Sequence, residues 1–344
     1  MNRPLRMLLV LTVACSMPMG CGDDARRDTI TPPEQPNVDD TSRWDGLEPL
    51  IPIETGPVFH VLEGYDQRWV DQLREGIQRA IDYWGSYGPT HVWIVGIDEG
   101  STLDEVAKQR FLDEYCTWRT EGTDIPLEFC LEHAHRMFIE PVQGGEPEAY
   151  LSEVRETELR MAELVFINVH KWHHPEDAIP DPVLRGIHEY THVFQLSVGP
   201  MPTWMMEGGA VFAESWLPAV DGRRDVKFNM ERILERAKRM GDPNLTIADM
   251  EEIETAPPHV AEHHMDLAYD SGAWATAFIV HRSPTRSVND LRDRFYPMVA
   301  EMGWKTALPR YLGMRDTSEF YEAFETFMSL PADRQVAILD ELEP

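Results

Sequence analysis

The sequence predicts an α+β protein, with a small mixed sheet in an N-terminal lobe (51–180) and a largely helical C-terminal lobe (181–344). Three observations carry that reading. Runs rich in β-branched and aromatic residues, at 57–62, 91–97 and 164–169, alternate with helical stretches in the first half. After Glu214 the apolar residues recur only at helical spacing. A hydrophobic content of 42% over 344 residues, with ten tryptophans, is enough to fill a large core.

Taken in order, the chain opens with a segment that reads as an export signal. Arg3 and Arg6 form its positive end, and 7–14 is an apolar run too short to span a bilayer. Cys21, after Gly20, resembles the lipidation site of a bacterial lipoprotein precursor, with Cys15 a weaker candidate. That resemblance implies export and a lipid anchor on a bacterial membrane. The alternatives are a secreted chain or an uncleaved anchor. Residues 21–50, rich in Asp, Pro, Thr and Arg, read as a disordered tether. The formal net charge of −29 argues against nucleic acid as a partner, and against anionic lipid beyond the anchor itself. Oligomeric state is not legible. In an exported chain, Cys116 and Cys130 most simply form a disulfide, with free buried thiols as the alternative.

The lobe itself begins with the strand at 57–62. The stretch 67–84 places Val70, Leu73, Ile77, Ile81 and Trp84 on one helical face, and Tyr87-Gly88-Pro89 breaks it. A strand follows at 91–97, and Thr102 to Glu105 has the spacing of a capping box opening another helix. Residues 126–139 and 146–162 have helical periodicity, separated by Gly144-Gly145. The strand 164–169 is expected to close the sheet. His170, His173 and His174 follow it, and His259, His263 and His264 lie before a later helix. Each group reads either as an exposed polar loop or as a second metal site or substrate contact, and the later three could rim the cleft. In the second half, 226–240, 247–253, 268–281, 288–303, 306–312 and 318–328 read as helices; Gly313 ends one and Asp316 caps the next.

The chemistry concentrates between Leu184 and Glu214. His188-Glu189-Tyr190-Thr191-His192 is an H-E-x-x-H motif. Four residues turn about 400° on a helix, so both imidazoles share a face, one turn apart. That spacing suits two nitrogen ligands on one Zn²⁺, with Glu189 set aside to reach a water. The motif alone arises by chance in roughly one chain in twenty of this composition, and its bland reading is two structural histidines on a buried helix. What strengthens it is Glu207, fifteen residues after His192, with Gly199, Pro200 and Pro202 allowing a turn between. Asp181-Pro182 supplies a plausible helix start.

On these residues the chain resembles the gluzincin metallopeptidases of the peptidase-MA-like type. Trp204, Met205, Glu207, Gly208, Ala210 and Glu214 match the pattern W-[LM]-x-E-G-x-A-x-x-x-E. The resemblance implies a zincin-like fold with 164–169 as the edge strand that pairs with substrate, His188, His192 and Glu207 as zinc ligands, and Glu189 as general base. It also implies Glu214 as a partner to a ligand histidine. Tyr269 with Gly272 partly matches a family Y-x-x-G helix and is the candidate donor to the oxyanion, with Tyr190 and the cleft histidines as rivals. Other zinc patterns fit less well. Gln195 and Val198 stand where a metzincin has Gly and His, and Val211 stands where the thermolysin pattern has Asp. The function expected is hydrolysis of a protein or peptide substrate by a zinc-activated water. The alternatives are a non-catalytic zinc-bearing surface protein and a zinc amide hydrolase acting on a non-peptide substrate.

Overall fold

The computed structural model describes residues 49–98, 100–154, 161–172, 181–240, 242 and 244–344. The leader, Cys21, nearly all of the 21–50 tether, His173 and His174 lie outside them. Among the described residues no helix is long and apolar enough to cross a membrane.

The fold is mixed α+β. In order, β1 (Ile51–Pro52), β2 (Val58–Val61), α1 (Gln67–Trp84), β3 (Tyr87–Gly88) and β4 (Thr90–Val95) lead to α2 (Glu105–Thr120). Then come α3 (Leu127–Ala134), a wide turn at His135–Ile139 and α4 (Glu140–Gly144), followed by β5 (Glu148–Val154) and β6 (Met161–Ile167). The site helices are α5 (Asp181–Val198) and α6 (Thr203–Val220). After them lie α7 (Val226–Ala237), α8 (Pro258–Ala261), a wide turn at Met265–Ser271 and α9 (Gly272–Arg282). The chain ends with α10 (Tyr296–Met302), α11 (Trp304–Leu312), α12 (Thr317–Met328) and α13 (Ala332–Val336).

The main sheet runs β2-β4-β6-β5. β2, β4 and β6 are parallel, and β5 pairs antiparallel with β6, Leu151 opposite Leu164. Two expectations are corrected here. The stretch 146–162 does not form one helix: 148–154 is a strand. Its side chains alternate, with Ala149 and Leu151 packed toward the larger core and Tyr150 toward the smaller one, the two-residue period of a pleat. The edges are β2 and β5, and β5 is the one that lines the site cleft, while the strand expected at 164–169 is β6, hydrogen-bonded on both sides. Ala162 to Ile167 is buried without a break, as suits a strand covered on both faces.

Local signals account for the other elements. Asp66 caps α1 by accepting from Arg68 N at 2.9 Å. Asp104, rather than Thr102, caps α2, accepting from Ala107 N at 2.8 Å. Asp316 caps α12, and Gly313 ends α11 in the left-handed conformation. Residues 247–253, expected as one helix, form short turns at Ile247–Met250 and Ile253–Thr255.

The sheet divides the core in two. One face, with Val92, Ile94, Leu164 and Phe166, packs on α1 and α5 in a core that continues to Leu342. This core runs across the 180/181 boundary between the expected lobes. The other face, with Trp93, Val95, Val165 and Ile167, packs on α2 and α3. Cys116 and Cys130, both buried, form a disulfide joining those two helices.

Candidate metal centre

α5 is buried on nearly every side, and each neighbour fixes one face of it. Against α1 the two backbones touch. A Cβ on Gly186 would lie 2.6 Å from Leu73 O, and one on Gly76 would lie 3.1 Å from Gly186 Cα. Only paired glycines allow this approach. The two variable residues of the H-E-x-x-H motif look the same way. Thr191 Oγ1 accepts from Trp84 Nε1 at 3.1 Å, and the Tyr190 hydroxyl accepts from Tyr87 N at 3.1 Å. Tyr190 is thus a strut on the far side of α5, which removes it as a rival to Tyr269.

The opposite face of α5 meets α6. Pro202 opens α6, and Thr203 N donates to Glu251 O at 2.7 Å, which aims the first turn of α6 at α5. Glu207 then faces both histidines. Its Oε2 is 3.3 Å from His188 Nε2 and 3.4 Å from His192 Nε2. One ligand atom from each of the three residues lies within 4.8 Å of the others, and all three residues are buried. Among the described residues, no other group of three such side chains meets this geometry.

The donor chemistry fits a cation. His188 Nδ1 faces Glu214 Oε1 at 3.0 Å. At that distance the Glu214 carboxylate favours a proton on Nδ1, which leaves Nε2 as the ring nitrogen turned to Glu207. Lone pairs and a carboxylate converging in a buried space repel one another unless positive charge lies between them. Tetrahedral N and O ligands at about 2.05 Å from a zinc ion stand about 3.3 Å apart. The two N–O separations above match that spacing.

The electrostatics agree. Burial pushes His188 down, but Glu214, then Glu207 and Glu189, outweigh it and hold the imidazole up at about 10. Burial likewise works against Glu207, yet His192 and His188 hold its carboxyl well below the usual carboxylate range. Without a metal, a proton can supply the positive charge. Glu189 differs: burial raises it, and Glu207 adds to the rise against the pull of both histidines. A raised carboxyl beside a ligand cluster is suited to exchange protons.

The cluster opens into a cleft lined by Ala149 and Leu151 of the edge strand, Met201 and Met206, Glu189 and Tyr269. Tyr269 comes from the wide turn Met265–Ser271. Its ring stacks on His188, centroids 5.8 Å apart and planes 7° off parallel. The turn reaches α6 because α6 and α9 also meet at glycines, a Cβ on Gly208 falling 2.5 Å from Gly272 Cα. That contact explains the first glycine after Glu207.

The remaining candidates separate. Glu214 lies 3.0 Å from His188 Nδ1 and has Arg185 at 3.7 Å. His264 packs edge-on to Tyr269 at 5.3 Å, at the rim of the centre. His170 instead accompanies Tyr65 and Trp69, and His263 faces Asp266. His259 is exposed. Sequence reading passed over Gln195 except as a mismatch to another pattern. Its Oε1 lies 2.7 Å from His192 Nδ1. The available signal was its position, three residues after His192 and so on the same face of α5.

No known protein family matches this chain, and no curated protein or solved structure gives a significant match.

Proposed function

We propose that the chain is a zinc-dependent peptidase of zincin-like fold and gluzincin type. The observation that carries this is the convergence of His188, His192 and Glu207 on one buried point, with Glu189 beside it in a cleft walled by an edge strand. His188 and His192 through Nε2, and Glu207 through its carboxylate, would hold the ion. Zinc bound there supplies Lewis acidity, polarising a carbonyl and lowering the pKa of a water towards about 7.

The chain's own groups do the rest. Glu189 takes the proton of the attacking water and returns it to the leaving nitrogen. Tyr269 offers its phenol hydrogen to the oxygen that gains charge, without adding a charge of its own. The outer edge of β5 presents backbone groups to an extended peptide, while Ala149 and Leu151 line the cleft beneath it. That edge favours a peptide over a compact amide. A base buried beside the ligands favours catalysis over mere metal storage.

The test is metal analysis of the purified full chain together with cleavage of a peptide library. Wild type is expected to hold one zinc and cleave. Glu189→Gln is expected to keep the zinc and lose about 10²–10⁴-fold in kcat/KM. Absence of zinc in wild type, or full activity in the variant, rejects the reading.

A further inference from the structure

The two imidazoles of the centre are held by different chemistry. His188 has a charged partner, Glu214, itself near Arg185. His192 has a neutral one, Gln195. An amide can present either its oxygen or its nitrogen, so what faces His192 depends on what holds the other end. Here the surroundings decide. Gln195 Nε2 lies 2.9 Å from Met206 O, and a backbone carbonyl only accepts. The NH₂ group must therefore point to α6, and the carbonyl oxygen to His192. An oxygen at 2.7 Å from Nδ1 requires a hydrogen on Nδ1.

We infer that Gln195 is a positioning residue: it fixes His192 with its proton on Nδ1 and its Nε2 toward Glu207, and it holds α6 in register through Met206. Met206 directly precedes Glu207, so one side chain orients a ligand on each helix. Gly209 leaves the room for it. A Cβ there would lie 3.0 Å from Gln195 Nε2 and 3.1 Å from the Tyr296 hydroxyl oxygen. Each glycine after Glu207 thus has its own task, Gly208 admitting α9 and Gly209 admitting the amide. The neutrality of Gln195 matters as well. Glu189, Glu207 and Glu214 already place three carboxyls around the site, and a fourth would weaken the pull of a bound cation on its substrate.

The inference rests on the zinc reading for its consequence but not for its geometry, and the test separates the two. In the metal-free full chain, ¹⁵N–¹H spectra of labelled histidine are expected to show a slowly exchanging Nδ1–H resonance for His192. Gln195→Met, which keeps the volume and removes the acceptor, is expected to lose it. Absence of that resonance from wild type overturns the inference whether or not zinc binds. Zinc affinity is then measured by competition with a chromophoric chelator. Gln195→Met and the milder Gly209→Ala are expected to weaken binding, the former by about 10–100-fold. Gln195→Glu, which still accepts from Nδ1–H but cannot donate to Met206 O, is expected to recover only part of that loss. Gln195→Met binding zinc as wild type does refutes the positioning role. A wild type that shows the resonance yet binds no zinc overturns the proposed function and leaves this geometry standing.

Discussion

The two faces of the sheet are built by different means. On the face toward α1 and α5, helices approach until backbones touch, at Gly76 with Gly186 and again farther on at Gly208 with Gly272. Charged groups are buried there, with His188, His192, Glu207 and Glu214 set against one another. On the face toward α2 and α3, rings do the packing: Trp93 meets Phe111 and Tyr115 edge-on, and Phe138 closes over both. A disulfide ties that layer together. Aromatic packing tolerates small shifts, whereas a backbone crossing admits very few positions. The comparison teaches why the chemistry lies where it does. A metal centre needs its ligands placed to a fraction of an ångström, and only the glycine-crossed face fixes helices that tightly.

The difference can be broken first at its strongest point. Gly208→Ala puts a methyl against the Gly272 backbone, so α9 and the turn bearing Tyr269 must move away from α6. We expect a loss of about 3 kcal/mol in denaturant unfolding, with zinc affinity falling alongside it. Unchanged stability would show that the crossing is looser than drawn here.

The other face should respond differently to an insult of similar size. Replacing both Cys116 and Cys130 by Ser frees a loop closed over a separation of 14 residues. The expected cost is about 2–3 kcal/mol of stability. Zinc affinity and turnover at a temperature where the protein stays folded should be unchanged. A drop in either would mean the two faces are coupled more tightly than the comparison allows.

The smallest effect is on pH. His91 lies on the aromatic face with Trp118, and its Nδ1 is 2.9 Å from His60 Nε2, whose ring reaches Glu114 at 2.5 Å. Burial first, then His60, depress His91 to about 4 from an ordinary value of 6.5. A depressed folded pKa means that the fold favours the neutral ring. The stability it contributes is complete above about 6.5 and is lost as pH falls through that value toward 4. Thermal melts at pH 7, 5.5 and 4.5 should show His91→Phe losing less stability on acidification than wild type. Parallel slopes would place the acid sensitivity elsewhere.

Much of the site was legible because it is local or nearly so. His188, Glu189 and His192 share one helix, and helical geometry alone puts both rings on one face. Glu207 could be proposed because prolines and a glycine break the chain between it and them. Other features were misread where local pattern underdetermines structure. The stretch 146–162 carries apolar residues that serve a period of 3.6 as well as a period of 2, and its pairing with β6 decided for the strand. The edge of the sheet moved from β6 to β5 for the same reason.

By itself, then, the sequence determined what depends on neighbours along the chain: the main helices, three of the strands, the paired histidines and the cysteines able to meet. Tertiary structure alone decided which strand lies at the edge, that Gln195 turns its oxygen to His192, and why two glycines follow Glu207. Each of these is set by atoms from segments far apart in sequence. Hydrogen-bond direction and steric clearance are properties of the assembled neighbours, and no single segment carries them.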